Sequence, residues 1–183
     1  MERIFESLIA SAKECGANNA SVILADTIET DAAFRDMCAA NSCGMYGKCW
    51  MCPPDVGEIH ELMAKLKTYS HALVYQYIGQ LEDSYDYEGM IDARRFMAKL
   101  SHSLQKYLTA NMPVEFLHLT VGGCGVCEVC AKQDGKPCIH PELALASLEA
   151  YGVNVSRLAA VSDMKYINGT DTVTYFGAVL FTL

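Results

Sequence analysis

Residues 114–141 read VEFLHLTVGGCGVCEVCAKQDGKPCIHP, an apolar stretch that runs without a spacer into a loop of glycines and cysteines. Val114 to Val121 has the short, bounded apolar pattern of a strand. The loop Gly122 to His140 then places Cys124, Cys127, Cys130 and Cys138 as C-x2-C-x2-C-x7-C. The strand delivers the chain directly to this loop.

Working upstream, Met90, Ala93, Met97, Leu100, Leu104 and Tyr107 or Leu108 recur at steps of three and four, a helix of about five turns. Ala72 to Ile78 (ALVYQYI) reads as a strand, followed by the acidic, tyrosine-rich EDSYDYEG. Tyr75, Tyr77, Tyr85 and Tyr87 are read as packing residues, with a substrate pocket as the second possibility. Residues 38–57 break the pattern, with Asn41, Gly44, Gly47, Pro53, Pro54 and Gly57 crowding Cys38, Cys43, Cys49 and Cys52 into a loop. Asp55 and Glu58 resemble a capping box ahead of a helix carrying Ile59, Leu62, Met63 and Leu66. The N-terminal segment reads as a helix over residues 2–14, with Gly16 as its stop, and then as a strand, Ala20 to Ala25.

Downstream, Pro141 suits the first position of a helix whose Leu143, Leu145 and Leu148 lead to Gly152. A shorter helix, Ser156 to Met164, and a final strand, Val173 to Leu183, complete the chain. Helices and strands alternate, which predicts an α/β or α+β fold with about four strands covered by helices. The two cysteine-rich, metal-binding loops, 38–57 and 122–140, differ in spacing, so the chain is not a duplicated small ferredoxin.

The 183 residues are 51% hydrophobic and 20% charged, with five prolines, which predicts one domain over residues 1–183. Lys plus Arg is 14 against 22 Asp plus Glu, and the formal charge of −8 opposes nucleic acid and anionic membranes alike. No run approaches the roughly 18 apolar residues of a membrane span, and the N-terminus lacks the pattern of a signal peptide. A cytoplasmic location is expected. In that reducing compartment nine cysteines point to metal or redox chemistry rather than disulfides.

Three cysteines at successive steps of three are the informative feature of the second loop. A structural zinc takes four ligands, usually as two separated C-x2-C pairs, which leaves the middle cysteine without a role. A [4Fe–4S] cluster has several irons to ligate, and the ferredoxin run C-x2-C-x2-C-x3-C-P wraps one with the same triple. Gly122, Gly123 and Gly125 let the backbone turn sharply and bring amides towards the sulfurs. The last step departs from the ferredoxin run, so Cys138 is less fixed than the other three. His140 competes with it as a ligand or, more plainly, precedes a helix start.

The first loop spaces Cys38, Cys43, Cys49 and Cys52 as C-x4-C-x5-C-x2-C, which is not the C-x3-C-x2-C triplet of radical S-adenosylmethionine enzymes. Cys52-Pro53 reproduces the Cys-Pro ending of a ferredoxin run, whose last cysteine serves the other cluster. Ligation across the two loops is therefore open. Eight of the nine cysteines fall into two quartets, the number that two [4Fe–4S] clusters require. One cluster, or zinc, is the alternative. Cys38, at the end of a helical turn, and Cys49, beside Trp50, are open to a second reading as packed thiols. Cys15 stands alone and reads as a small buried hydrophobe, and Trp50 and Tyr46 as aromatic cover that keeps water from a cluster. The histidines have no metal-site spacing, and nucleotide-binding and serine-hydrolase motifs are missing.

Cys38, Cys43, Tyr46-Gly47 and the WMCPP of Trp50 to Pro54, with Cys124, Cys127, Cys130, Cys138 and Pro141, resemble the pattern of a family of predicted metal-binding proteins. That family is uncharacterised, cysteine-rich and found largely in anaerobic bacteria and archaea. The resemblance covers essentially the whole chain and implies metal binding through these cysteines. It carries no assigned activity.

Four functions compete. The first is an iron–sulfur electron-transfer protein whose acidic surface suits a basic redox partner protein. The second is an iron–sulfur reductase, or a cluster acting as a Lewis acid, on a small-molecule substrate. The third is a zinc-binding structural or interaction module that loses structure on chelation. The fourth, metal delivery or sensing, needs labile and exposed thiolates. Two apolar faces on the helix near residues 90–108 would allow a homodimer.

Overall fold

A computed structural model describes all residues, 1–183, and shows one five-stranded sheet with helices on both faces, an α+β arrangement. The strands are β1 (Asn19–Leu24), β2 (His71–Gln80), β3 (Phe116–Thr120), β4 (Ala146–Ser147) and β5 (Thr172–Phe181), in the order β1-β2-β5-β3-β4. All neighbours are antiparallel except β3 and β4. The helices are α1 (Glu2–Glu14), α2 (Phe34–Ala39), α3 (Ile59–Leu66), α4 (Tyr87–Asn111) and α5 (Val155–Val161). None is long and apolar enough to cross a membrane.

The two central strands are apolar on both faces because helices cover both. Side chains alternate sides along a strand. Ala72 and Val74 of β2, with Phe176, Ala178 and Leu180 of β5, pack into one core against α3, α5 and Leu148. Leu73, Tyr75, Val179 and Phe181 pack into the other, against Leu8 and Ala12 of α1 and Met97, Leu100, Leu104 and Leu108 of α4. No cysteine of either loop belongs to either cluster of buried core residues. Gly177 is required by this packing, since a Cβ there would overlap the ring of Tyr75.

Helix α4 starts earlier than its apolar repeat, at Tyr87, because the Asp86 carboxylate accepts the amide of Gly89 at 2.8 Å. Asn154 caps α5 in the same way, through the amide of Arg157. The packing expected of the tyrosines holds for two of the four: Tyr75 is buried and Tyr77 stacks on Phe96, whereas Tyr85 and Tyr87 are exposed and do not pack.

Two local expectations are corrected. No helix runs from Pro141 to Gly152. Leu145 to Leu148 are buried in succession, Ala146–Ser147 pair with β3, and the Leu148 amide donates to the Thr120 carbonyl at 2.9 Å. A continuous buried apolar run satisfies a strand as well as a helix, and pairing with β3 overrides the helical propensity of leucine and alanine. That segment is the fifth strand. The capping box also fails: Glu58 occupies the cap position of α3 without a side-chain bond, and Asp55 turns instead to Lys132.

Between α4 and the sheet lies a buried polar cluster. The Tyr75 hydroxyl is 2.8 Å from Ser101 Oγ and 2.7 Å from His118 Nε2, while Ser101 also meets Thr120 at 2.7 Å. His118 Nδ1 lies 2.9 Å from Gln105 Oε1, an acceptor that fits a neutral ring donating from Nδ1. Burial pushes the His118 pKa down to about 3. The folded protein therefore keeps the ring neutral, whereas the unfolded chain takes up a proton near pH 6.5. Below that pH the unfolded state binds the extra proton, so stability falls on acidification by up to about 1.4 kcal/mol per pH unit until the folded pKa is reached. Urea midpoints measured from about pH 7.5 to about pH 5 are expected to show this decline in the wild type and a shallower one in His118→Gln. Equal slopes would exclude His118 as its source.

Candidate metal centre

The first cysteine loop is folded by its glycines and backbone bonds. Asn41, Gly44 and Gly47 all have positive φ, which lets the chain reverse three times in a short span. The amide of Tyr46 donates to Asn41 Oδ1 at 3.0 Å and that of Gly47 to the Pro53 carbonyl at 2.9 Å. This coil buries Cys49 and Cys52, leaves Cys38 half-buried and exposes Cys43.

The second loop leaves the end of β3 through Val121 and the left-handed Gly122, turns again at Gly125, and includes a short 3-10 helix, Ala131–Asp134, that ends on the left-handed Gly135. Its four cysteines are all half-buried. Gly123 is where the loops meet. A Cβ at that position would lie 3.3 Å from Met45 and 3.7 Å from Cys52 Sγ.

Side chains tie the loops together further out. Lys132 Nζ pairs with Asp55 at 2.5 Å, with both side chains largely buried, and sits 4.5 Å over the Trp50 ring. Trp50 Nε1 donates to the Lys136 carbonyl at 2.9 Å. Neither Lys132 nor Lys136 was singled out in the sequence. Their partners lie far away along the chain, and no local pattern announces them.

Two cavities adjoin at Gly123. The first, about 300 Å³, is lined by five thiols: Cys49, Cys124, Cys127, Cys130 and Cys138. Trp50, Arg94 and Arg95 of α4, and His140 also border it. The second, about 420 Å³, is lined by three thiols, Cys38, Cys43 and Cys52, with Tyr46, Ser147 and Glu149. All eight cysteines singled out in the sequence thus lie around one or the other. The division differs from the two sequence quartets, because Cys49 faces the second-loop thiols. Cys15 lies apart, half-buried against the core of α1 and α4.

The electrostatics follow this geometry. Cys49 and Cys52 share a sulfur hydrogen bond. The Cys49 pKa is lowered by the Cys52 thiol first, then by the amides of Cys124 and Met51 and the Cys130 thiol, while Cys52 is raised in return. Burial raises Cys124 against the amides of Val126 and Leu145, and raises Cys38 together with the charge of Glu149. Glu149 is itself raised by desolvation. Thiolates are what a metal takes. Loop amides aimed at sulfur favour that form at Cys49, while at Cys124 burial outweighs them.

No three His, Cys, Asp or Glu side chains converge closely enough to hold a single metal ion. The thiols line two cavities instead of closing on one point. Trp50 lines the first cavity and Tyr46, itself exposed, the second, and His140 is exposed, 3.9 Å from Glu142.

The family model described as predicted metal-binding protein (DUF2284) matches residues 21–181. No curated protein and no solved structure matches the chain.

The pairing of Lys132 with Asp55 ties the two loops beside Trp50, which lines the first cavity. Breaking a buried charged hydrogen bond costs about 1.5–3 kcal/mol. Lys132→Met is therefore expected to speed the loss of bound metal to a chelator several-fold, read by metal analysis over time, with the sheet's circular dichroism unchanged. Loss at the wild-type rate would show that the pair does not hold the loops.

Proposed function

The chain belongs to a family of predicted metal-binding proteins (DUF2284), and from this and the cavity geometry we propose that it is an iron–sulfur protein carrying two [4Fe–4S] clusters, one in each cavity, for single-electron transfer. The observation that carries the reading is the gathering of eight cysteines, from loops far apart in sequence, around two cavities that share the wall at Gly123. Thiolates at every third residue suit a cluster with several irons better than one tetrahedral ion. The donor set fits the group: it is rich in sulfur, with backbone amides on Cys49 and Cys124 to offset the charge of the sulfurs.

In this reading Cys124, Cys127, Cys130 and Cys138 hold the cluster of the first cavity. Cys38, Cys43 and Cys52 hold that of the second, with Cys49 at the boundary. Bound there, a cluster accepts and releases one electron. The protein excludes water with Trp50 and Tyr46, supplies amides to sulfur, and keeps the two sites side by side. A net charge of −8 suits docking to a basic redox partner. Nine free thiols suit a reducing, cytoplasmic setting. A second reading, a reductase acting on a small anionic molecule, is favoured by Arg94 and Arg95, which border the first cavity beside its thiols.

Anaerobic purification followed by a visible spectrum and iron, sulfide and zinc assays on one sample tests the proposal. A brown protein with about eight irons per chain is expected, and Cys127→Ala should lose about four of them. A colourless protein holding one or two zinc ions would overturn the redox reading in favour of a structural module.

A further inference from the structure

The sheet ends in two unlike edges. Strand β4, at one end, is two residues long with both side chains buried, and its Ser147 lines the second cavity. Strand β1, at the other, runs for six residues, NASVIL, in unbroken register with β2 from Asn19 to Leu24. It has no charged residue, no proline and no bulge, the devices that natural edge strands use against pairing.

Antiparallel pairing decides which main-chain groups of β1 point outward. The Asn18 amide donates to the Gln76 carbonyl and the Ala25 amide to the Ser70 carbonyl, so the even-numbered residues along β2 face β1. The residues of β1 that bond to β2 are therefore Asn19, Ser21 and Ile23. The amides and carbonyls of Ala20, Val22 and Leu24 point the other way, and the backbone of no other segment bonds to them. Among these groups the Leu24 carbonyl alone has a partner, the Thr27 hydroxyl at 2.7 Å. The Leu24 side chain is itself 54% exposed. Such an edge is a template for a further strand.

This edge is complementary to itself. A two-fold axis at Val22 sets the two Val22 residues opposite each other and each Leu24 opposite an Ala20, a large side chain against a small one on the same face of the sheet. Asp26, the charged residue nearest the strand, then comes opposite Asn18. The Oδ1 of Asn18 is taken by the Ile78 amide at 2.8 Å, which leaves its side-chain nitrogen to donate. No like charges meet.

We propose that the protein is a homodimer in which two β1 strands pair antiparallel, through about six main-chain hydrogen bonds, and join the two five-stranded sheets into one. The interface lies at the edge away from β3 and β4, so both cavities of each copy stay open. Helix α4, the other surface with apolar faces, is committed to the core of its own chain through Met97, Leu100, Leu104 and Leu108. The inference is independent of which metal the loops hold.

Sedimentation equilibrium of the anaerobically purified protein, with hydrogen exchange across residues 19–25 read by mass spectrometry, tests the pairing. The wild type is expected to be a dimer whose Ala20, Val22 and Leu24 amides are protected at high concentration and exchange on dilution. Ala20→Pro removes an outward N–H that β2 does not use, and should raise the dissociation constant of the dimer about tenfold or more with the circular dichroism unchanged. Tyr107→Ser, at an exposed position of α4, should dimerise as the wild type does. If Ala20→Pro fails to fold, the exchange of the wild type decides. A monomeric wild type would overturn the homodimer and leave the edge to a strand of another protein. A dimer lost in Tyr107→Ser, or one in which exchange of the three amides is indifferent to dilution, would overturn the β1 interface.

Discussion

The close passage of the Gly123 backbone past Met45 and Cys52 is the constraint from which the rest of the site follows. Two loops from distant parts of the chain approach so nearly that even a Cβ at Gly123 would crowd the Met45 side chain and touch Cys52 Sγ. Glycine there leaves Met45 room, and at Gly122 and Gly125 it supplies backbone angles that other residues adopt only under strain. Because the contact is backbone against sulfur, it also lets an amide of the second loop reach a thiol of the first. The thiols then share one electrostatic environment, in which protonation of Cys49 and of Cys52 cannot be considered separately.

The sheet makes that approach reproducible. Strand β3 is fixed between β5 and β4, and it delivers Val121 and Gly122 to the same place each time the chain folds. The buried hydroxyls and imidazole between α4 and β3 fix the register of the long helix against the sheet. With that register set, Arg94 and Arg95 arrive at the rim of the first cavity. Positioning of the site therefore depends on polar contacts inside the core as well as on apolar area.

Much of this was legible in the sequence. The strands β2, β3 and β5 and the helices α1 and α4 carry clean periodicities, and structure and sequence agree on them within a few residues. The cysteines announced themselves by spacing. What spacing could not convey was the partition: Cys49 sits in the first loop by sequence but faces the second-loop thiols in space, because the coil at Asn41, Gly44 and Gly47 folds back on itself. Leu143 to Leu148 misled for a different reason. Leucine and alanine favour helix on their own, and only the open edge of β3 makes a strand of them.

Both clusters of core residues are closed without any of the eight loop cysteines. The sheet and its helices thus build their cores apart from these thiols, with Met51 and Val56 of the first loop packed against one of them. Such a division has a consequence for biogenesis: the scaffold can be synthesised and folded first, holding the loops near one another, and the inorganic cargo can be installed afterwards by whatever machinery delivers it.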